Sequence, residues 1–274
     1  MVKRSVILVF LWIVISTTGI CEIVMPKIFS NHMVLQRDQP ITLWGLGTPL
    51  ELISIHLGPL MEQVKVGKNG KWTVDLHPMS VGGPYILTVK GRESELIFED
   101  ILIGDLWICS GQSNMEWTNN QFNYQDTDTT FLKTNMRLFK VSIDMDYLPQ
   151  EDLQGGIWQL LDAETMSNFS AVSYYFGKNL SSEIDVPIGL INVSLGSSSI
   201  EAWMSNDALV KFPQFKEEVN TIVSNNKSFE ELRIDFEKGK EKWSKKHYLK
   251  DIGLDLQWFA KKLDDSDWLE MKVS

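Results

Sequence analysis

The chain has 274 residues, of which 43% are hydrophobic and 23% charged, the balance of a globular protein and not of a disordered or fibrous one. Its net charge of −10 argues against nucleic acid and anionic membrane surfaces as partners, because both require clustered Lys and Arg. Two cysteines, Cys21 and Cys109, exclude a disulfide framework, and a chain of this length can carry its stability in its core.

Residues 1–21 read as a signal peptide. Lys3 and Arg4 form a basic start, Val6 through Ile15 is apolar but short for a bilayer span, and Ser16-Thr17-Thr18-Gly19 offers small residues for cleavage. Cleavage is expected between residues 19 and 23. A secreted or periplasmic protein follows, without stable membrane insertion after processing.

Residues 22–100 are expected to form a small β-sandwich. Apolar runs recur at Ile41–Trp44, Leu52–Leu57, Gln63–Val66, Trp72–Leu76, Tyr85–Val89 and Leu96–Phe98, separated by Gly-, Pro- and Asn-rich turns. Asn69-Gly70 between Val66 and Trp72 is a hairpin signal.

From residue 101 the pattern changes. Ile101–Cys109 is nearly continuous in apolar residues, as in a strand buried on both faces, and it ends in Ser110-Gly111-Gln112-Ser113-Asn114-Met115. A helix over Val172–Glu183 precedes a second apolar strand, Pro187–Leu195, which ends in Gly196-Ser197-Ser198-Ser199. Strand, helix and strand in alternation predict an α/β fold with a parallel sheet and helices on both faces, in residues 101–250. Ligand sites in such sheets lie beyond the carboxyl ends of the strands, where both Gly/Ser-rich turns fall. Residues 206–250 are polar and helix-forming. Residues 251–274, with Trp258 and Asp264–Trp268, read as the opening strand of a further β module, cut short.

A serine at a strand end can act as a nucleophile if a base takes its proton and backbone N–H groups receive the oxyanion. Ser113 meets the positional demand, although Met115 stands where the Gly-x-Ser-x-Gly elbow has its second glycine. A Ser/Asn-rich turn capping a helix is the other reading of the same residues. Gly196 can offer an unhindered N–H to an oxyanion; a strand-to-helix turn with Ser198 or Ser199 as cap is the alternative there.

Asp105–Trp117, Pro187–Ser194 with Ile200–Met204, and Pro26–Arg37 together resemble the sialate O-acetylesterase family of SGNH hydrolases, in the family's order. The resemblance implies a carbohydrate esterase acting on O-acetylated sialic acid, an O-acetylated sugar or glycan as the molecule bound, no metal and no organic cofactor. It implies Ser113 as nucleophile and Gly196 and Ser197 as oxyanion donors. Gln112, Asn114, Glu116 and Trp203 are candidate substrate contacts, with a first-turn helix acid the alternative for Glu116 and core packing the alternative for Trp203. Trp117 and Trp158 are further candidates for a sugar cleft, with core packing the alternative. Acetylated xylan or hemicellulose is the competing substrate. A non-catalytic carbohydrate-binding fragment is the competing function.

Two departures stand out. The family's second block carries Gly-Gly-Thr where this chain has Gly196-Ser197-Ser198, so Ser197 must work with a side chain that restricts its backbone. The family's downstream Gln-Gly-Glu and Asp-x-x-His blocks do not occur here, so the chain is expected to lack the acid/base half. Of the four histidines, His32 reads as structural, His56 and His77 belong to the sandwich, and His247 sits in a Lys-rich helix.

Overall fold

The computed structural model describes residues 22–122, 135–146, 148–224, 227–248 and 251–270, so the expected signal peptide lies outside the described residues. The chain divides into two compact units, one holding the residues to Asp144 with Gln150–Ala202, the other Met145–Pro149 with the residues from Trp203 onward.

The first unit begins with strands β1 (Val34–Gln36), β2 (Ile41–Leu46), β3 (Leu52–Leu57), β4 (Leu60–Lys65), β5 (Lys71–Leu76) and β6 (Gly82–Lys90). Burial alternates along β2 and β3, placing Ile41 and Leu43 of one sheet and Ile53, Ile55 and Leu57 of the other in a common core with Trp72, Leu76, Leu87 and Val89. Each fully buried aliphatic side chain there stabilises the fold by roughly 1.5–3 kcal/mol. The Asn69-Gly70 turn forms, with Gly70 at φ 78° and Lys71 N–H donating to Asn69 Oδ1 at 3.1 Å. It is not a hairpin between paired strands. β5 pairs with β2, whereas β4 pairs with β3, so the turn carries the chain from one sheet to the other.

Strand β7 (Glu95–Gly111) joins the runs that the sequence presents as two strands into one of 17 residues. Its first half pairs antiparallel with β6; its second half, from Asp105, pairs parallel with β10 (Ile188–Ser194). Gly104 sits at the changeover, where a Cβ would lie 2.1 Å from Pro187 O. After β7 come α1 (Ser113–Glu116) and a 3-10 turn at Asn119–Phe122. Next are β8 (Met136–Lys140), β9 (Trp158–Leu160), α2 (Ala163–Asn168) and α3 (Ala171–Glu183). β10 lies between β7 and β8, parallel to both, and β9 closes the edge antiparallel to β8. The mixed α/β architecture anticipated from the alternation is present.

α3 starts at Ser170, whose Oγ accepts from Ser173 N–H, and buries Ala171, Tyr174 and Gly177. Gly177 lets the helix approach the sheet, since a Cβ there would stand 2.7 Å from Leu190 Cδ1. The opposite sheet face packs Phe139, Leu106 and Ile191 with Ile28, Phe29 and Trp158. The expectation that Ile101–Cys109 is buried on both faces holds only to Gly104. Trp107 is 42% and Ile108 73% exposed, because this stretch of β7 pairs with β10 on one side only.

The second unit contains α4 (Asn206–Leu209), α5 (Pro213–Ser224), α6 (Phe229–His247) and α7 (Ile252–Asp255). α6 opens with a capping box in which Ser228 Oγ accepts from Glu231 N–H and Glu231 Oε2 from Ser228 N–H. The opening strand expected over 251–274 is not found in 251–270. Those residues form α7 and turns, with Gly253 N–H held by Asp251 Oδ1. Among the described residues, no helix is long and apolar enough to cross a membrane.

Candidate active site

Register fixes the site. Ser194 of β10 stands opposite Gly111 of β7, and Leu195 N–H donates to Gly111 O at 3.1 Å. The strands are parallel, so both chains leave the sheet at the same end. Ser113 and Gly196 each follow two residues beyond the last pair. A Cβ built on Gly196 would lie 3.3 Å from Ser113 Oγ and 3.7 Å from Ser113 Cα. The two turns singled out in the sequence therefore meet.

Ser113 opens α1, whose Met115 and Glu116 N–H groups donate to Gln112 O and whose next residue, Trp117, donates to Ser113 O. Gly196 N–H points to Glu116, donating to its Oε2 at 2.6 Å. Ser197 takes φ 62°, the left-handed region where a side chain costs roughly 1 kcal/mol relative to glycine. Ser198 Oγ donates to Leu195 O, and the exposed Gln112 donates through Nε2 to Ser198 O, tying the two turns together. Asn114 is exposed beside Ser113. Trp203 ends the 3-10 turn Ile200–Trp203 and belongs to the second unit. Trp117 is half exposed, against Phe122. Trp158 is buried, with Nε1 donating to Ile28 O, and packs with the core residues Ile28, Phe29 and Phe139.

Beneath Ser113 lies a polar cluster that the sequence reading passes over. Asn192, buried in β10, directs Nδ2 at Cys109 O (3.3 Å), Met115 O (3.4 Å) and Ser173 Oγ (3.4 Å), while Oδ1 accepts from Ser194 Oγ (3.2 Å). Ser173 Oγ donates to Ser170 Oγ at 2.8 Å, the Ser170 hydroxyl donates to Met115 Sδ at 3.6 Å, and Ser173 Oγ lies 3.3 Å from the same sulfur. Asn192 thus ties α1, β7 and α3 into one support. The available signal was a pair of polar residues, Asn192 and Ser194, within an apolar strand. Burial raises the Cys109 thiol pKa, with the Ser173 hydrogen bond opposing, which keeps the sulfur protonated and inert.

Among the described residues, Ser113 Oγ makes no hydrogen bond to a histidine. His32 Nδ1 instead meets Asp100 Oδ2 at 2.7 Å, a pair closed by Arg137. Asp100 lies eleven residues before Gly111 on the same strand, a separation of up to roughly 35 Å at about 3.3 Å per residue. That pair ties the loop before β1 to β7 and β8. His56 lies on β3 and His77 just after β5, both exposed, and His247 packs on Trp243 within α6. No group of three His, Cys, Asp or Glu among the described residues is arranged to hold a metal ion.

Comparison with known proteins agrees on one chemistry. Residues 103–234 match the family model for carbohydrate esterases described as sialic acid-specific acetylesterases. Sialate O-acetylesterase of Mus musculus is 34% identical over 202 residues, covering 65% of this chain and 37% of that protein. The Homo sapiens protein of the same name is 34% identical over 203 residues, covering 66% and 38%. The crystal structure of a carbohydrate acetylesterase from Xanthomonas citri superposes with a TM-score of 0.64 at 37% identity, over 68% of this chain and 43% of that one. The chain thus spans about two fifths of the length of these relatives.

Proposed function

Since residues 103–234 belong to the sialic acid-specific acetylesterase family of carbohydrate esterases, we propose that this chain carries the nucleophile side of an enzyme that hydrolyses O-acetyl esters of sialic acid. One observation carries the reading: Ser113 Oγ and the backbone of Gly196 converge at the carboxyl ends of two paired parallel strands. Ser113 Oγ attacks the acetyl carbonyl carbon and its proton passes to a general base. The carbonyl oxygen gathers negative charge and is received by the N–H of Gly196, with Ser197 beside it. The sugar hydroxyl leaves with a proton, and water then attacks the acetyl-enzyme, releasing acetate and restoring the serine. In this reading Gln112 and Asn114, exposed beside Ser113, contact the sugar.

The mechanism requires a base at Ser113 Oγ, and no histidine among the described residues makes that contact. Without a base, oxyanion donation and binding supply only the residual part of the rate. The names of the mammalian relatives support sialic acid as the sugar, and that of the Xanthomonas citri enzyme supports acetylated carbohydrates at large. Residues 1–21 are proposed to direct export, a role tested by N-terminal sequencing of exported protein; a product still starting at Met1 refutes cleavage.

Acetate release from O-acetylated sialic acid and from acetylated xylan provides the functional test. It is measured on the chain alone and on the chain extended with the C-terminal region of the Xanthomonas citri relative. The extended protein is expected to turn over sialate esters faster than xylan, and Ser113→Ala to lower its kcat by about three orders of magnitude or more. The chain alone is expected to show little turnover. Near-normal activity in the Ser113→Ala protein overturns the nucleophile assignment, and faster release from xylan overturns the sugar.

A further inference from the structure

Glu116 does more than follow the nucleophile in sequence. It lies three residues after Ser113 on the single turn of α1, so the two side chains share one side of that turn. Its Oε2 accepts the Gly196 N–H at 2.6 Å, and Gly196 in turn packs against Ser113 Oγ. A carboxylate oxygen therefore sits on the donor that the proposed reaction needs for its developing oxyanion. Two negative oxygens cannot share one N–H at that distance.

We infer that the Glu116 carboxylate is an internal occupant of the acyl-oxygen seat, a self-blocking contact that substrate must displace before Ser113 can attack. The inference rests on the reading of Gly196 as oxyanion donor and extends it. Glu116 mimics the reaction's own product: a carboxylate oxygen bonded to Gly196 N–H is also how acetate would sit there. The side chain can leave without disturbing the sheet, because the bond it makes here runs from its terminal oxygen to backbone, and the Cβ position at Gly196 is crowded only by that movable oxygen and by Ser113. A Cβ at Gly196 would start 2.5 Å from Glu116 Oε2 and 3.3 Å from Ser113 Oγ, so it would push the carboxylate off the N–H and crowd the serine.

The test follows the Gly196 amide in proton–nitrogen NMR spectra of the chain, with sodium acetate as the probe. In the native chain this amide proton is expected far downfield, as for an N–H bonded to a carboxylate. Glu116→Ala should move it upfield, and added acetate should restore the downfield position. The apparent acetate affinity of the Glu116→Ala protein should exceed that of the native chain by about tenfold or more, because an occupied seat lowers apparent affinity by the fraction of time it is free. Glu116→Gln keeps the side-chain length and an accepting oxygen, so it should give an intermediate shift and serves where the alanine variant fails to fold. An amide unmoved by either substitution overturns the inference. Equal acetate affinity at Gly196 in native and variant chains also overturns it, yet leaves Gly196 standing as a donor. No acetate response in any variant overturns both.

Discussion

Asn192 offers the sharpest test of how the sequence holds Ser113 in place. The side chain is 2% exposed and has two amide hydrogens facing three acceptors, with its own oxygen accepting from Ser194. At most three good hydrogen bonds form at once, and their lengths of 3.2 to 3.4 Å put each near the lower end of the usual range, about 0.5–1 kcal/mol. Asn192→Ala removes them and leaves the buried Ser194 hydroxyl and the Met115 carbonyl short of partners, an added cost of about 1 kcal/mol or more. A loss of roughly 2–4 kcal/mol follows, a large share of a typical stability of about 5–15 kcal/mol.

Urea unfolding of the chain starting at Glu22, followed by the β-sheet signal in circular dichroism, reads this directly. With an m value of about 2 kcal/mol per molar, the midpoint should fall by about 1–2 M. Asn192→Asp separates packing from donation, since it keeps the volume and an accepting oxygen but loses the donors. Burial and the facing acceptors favour the neutral acid, so the folded-state pKa rises above the unfolded value of about 3.9. The penalty should therefore be small below about pH 4 and grow as pH rises. A midpoint within about 0.3 M of the native chain for Asn192→Ala, or a pH-independent penalty for Asn192→Asp, refutes the argument that this amide carries the support.

Three further outcomes are expected. Cys109 is buried with its thiol pKa pushed up, so in the chain starting at Glu22 it should react with a disulfide reagent about a hundredfold more slowly than a free thiol until urea unfolds the protein; rapid reaction in buffer refutes this. Gly104→Ala would drive a methyl group into the Pro187 backbone at 2.1 Å, so it should cost about 3 kcal/mol or more and lower soluble yield; an unchanged urea midpoint counts against the strand changeover described. Asp162 caps α2 by accepting from Thr165 N–H at 2.8 Å, and that bond leads the causes that lower its pKa. Its contribution is then present above the unfolded value of about 3.9 and lost as pH falls through the lower folded one. Asp162→Asn should remove that acid sensitivity, and identical acid profiles for the two proteins contradict the assignment.

Much of the first unit was legible because its rules are local. Alternating apolar residues place β2, β3 and β5, and turn residues mark their ends. What stayed hidden depended on partners distant in sequence. Asn69-Gly70 carries every local mark of a hairpin, yet the pairing of β5 with β2 was decided by the packing of two sheets. The break between Leu96–Phe98 and Ile101–Cys109 looked like a turn; it is an irregularity at Asp100 (φ 57°), where the register with β6 shifts while the pairing continues on both sides of it. β8 was missed, being only five residues long and interrupted by Arg137, whose charge is met by Asp100 from another strand. At the site, Ser113 and Gly196 were identified as residues, while their contact required the parallel register. The occupation of Gly196 N–H by Glu116 has no counterpart in spacing at all.

That register also explains why a departure at Ser197 is tolerated. In this fold the position of Gly196, the proposed oxyanion donor, is set by β10, through the Ser194–Gly111 pair and the Leu195 N–H bond to Gly111 O, both of which precede the turn. The strain of a serine at φ 62° therefore falls on the residue after the donor and does not move Gly196 itself. A side chain at Gly196 would be different, because its Cβ would enter the space between Glu116 and Ser113. The two adjacent positions thus answer to different constraints. Residue 197 needs a left-handed backbone, which serine can adopt at a modest energetic cost, whereas at residue 196 a Cβ would displace the Glu116 carboxylate and press against Ser113 Oγ. The site can lose one of the family's paired glycines and keep the geometry that brings Ser113 and Gly196 together.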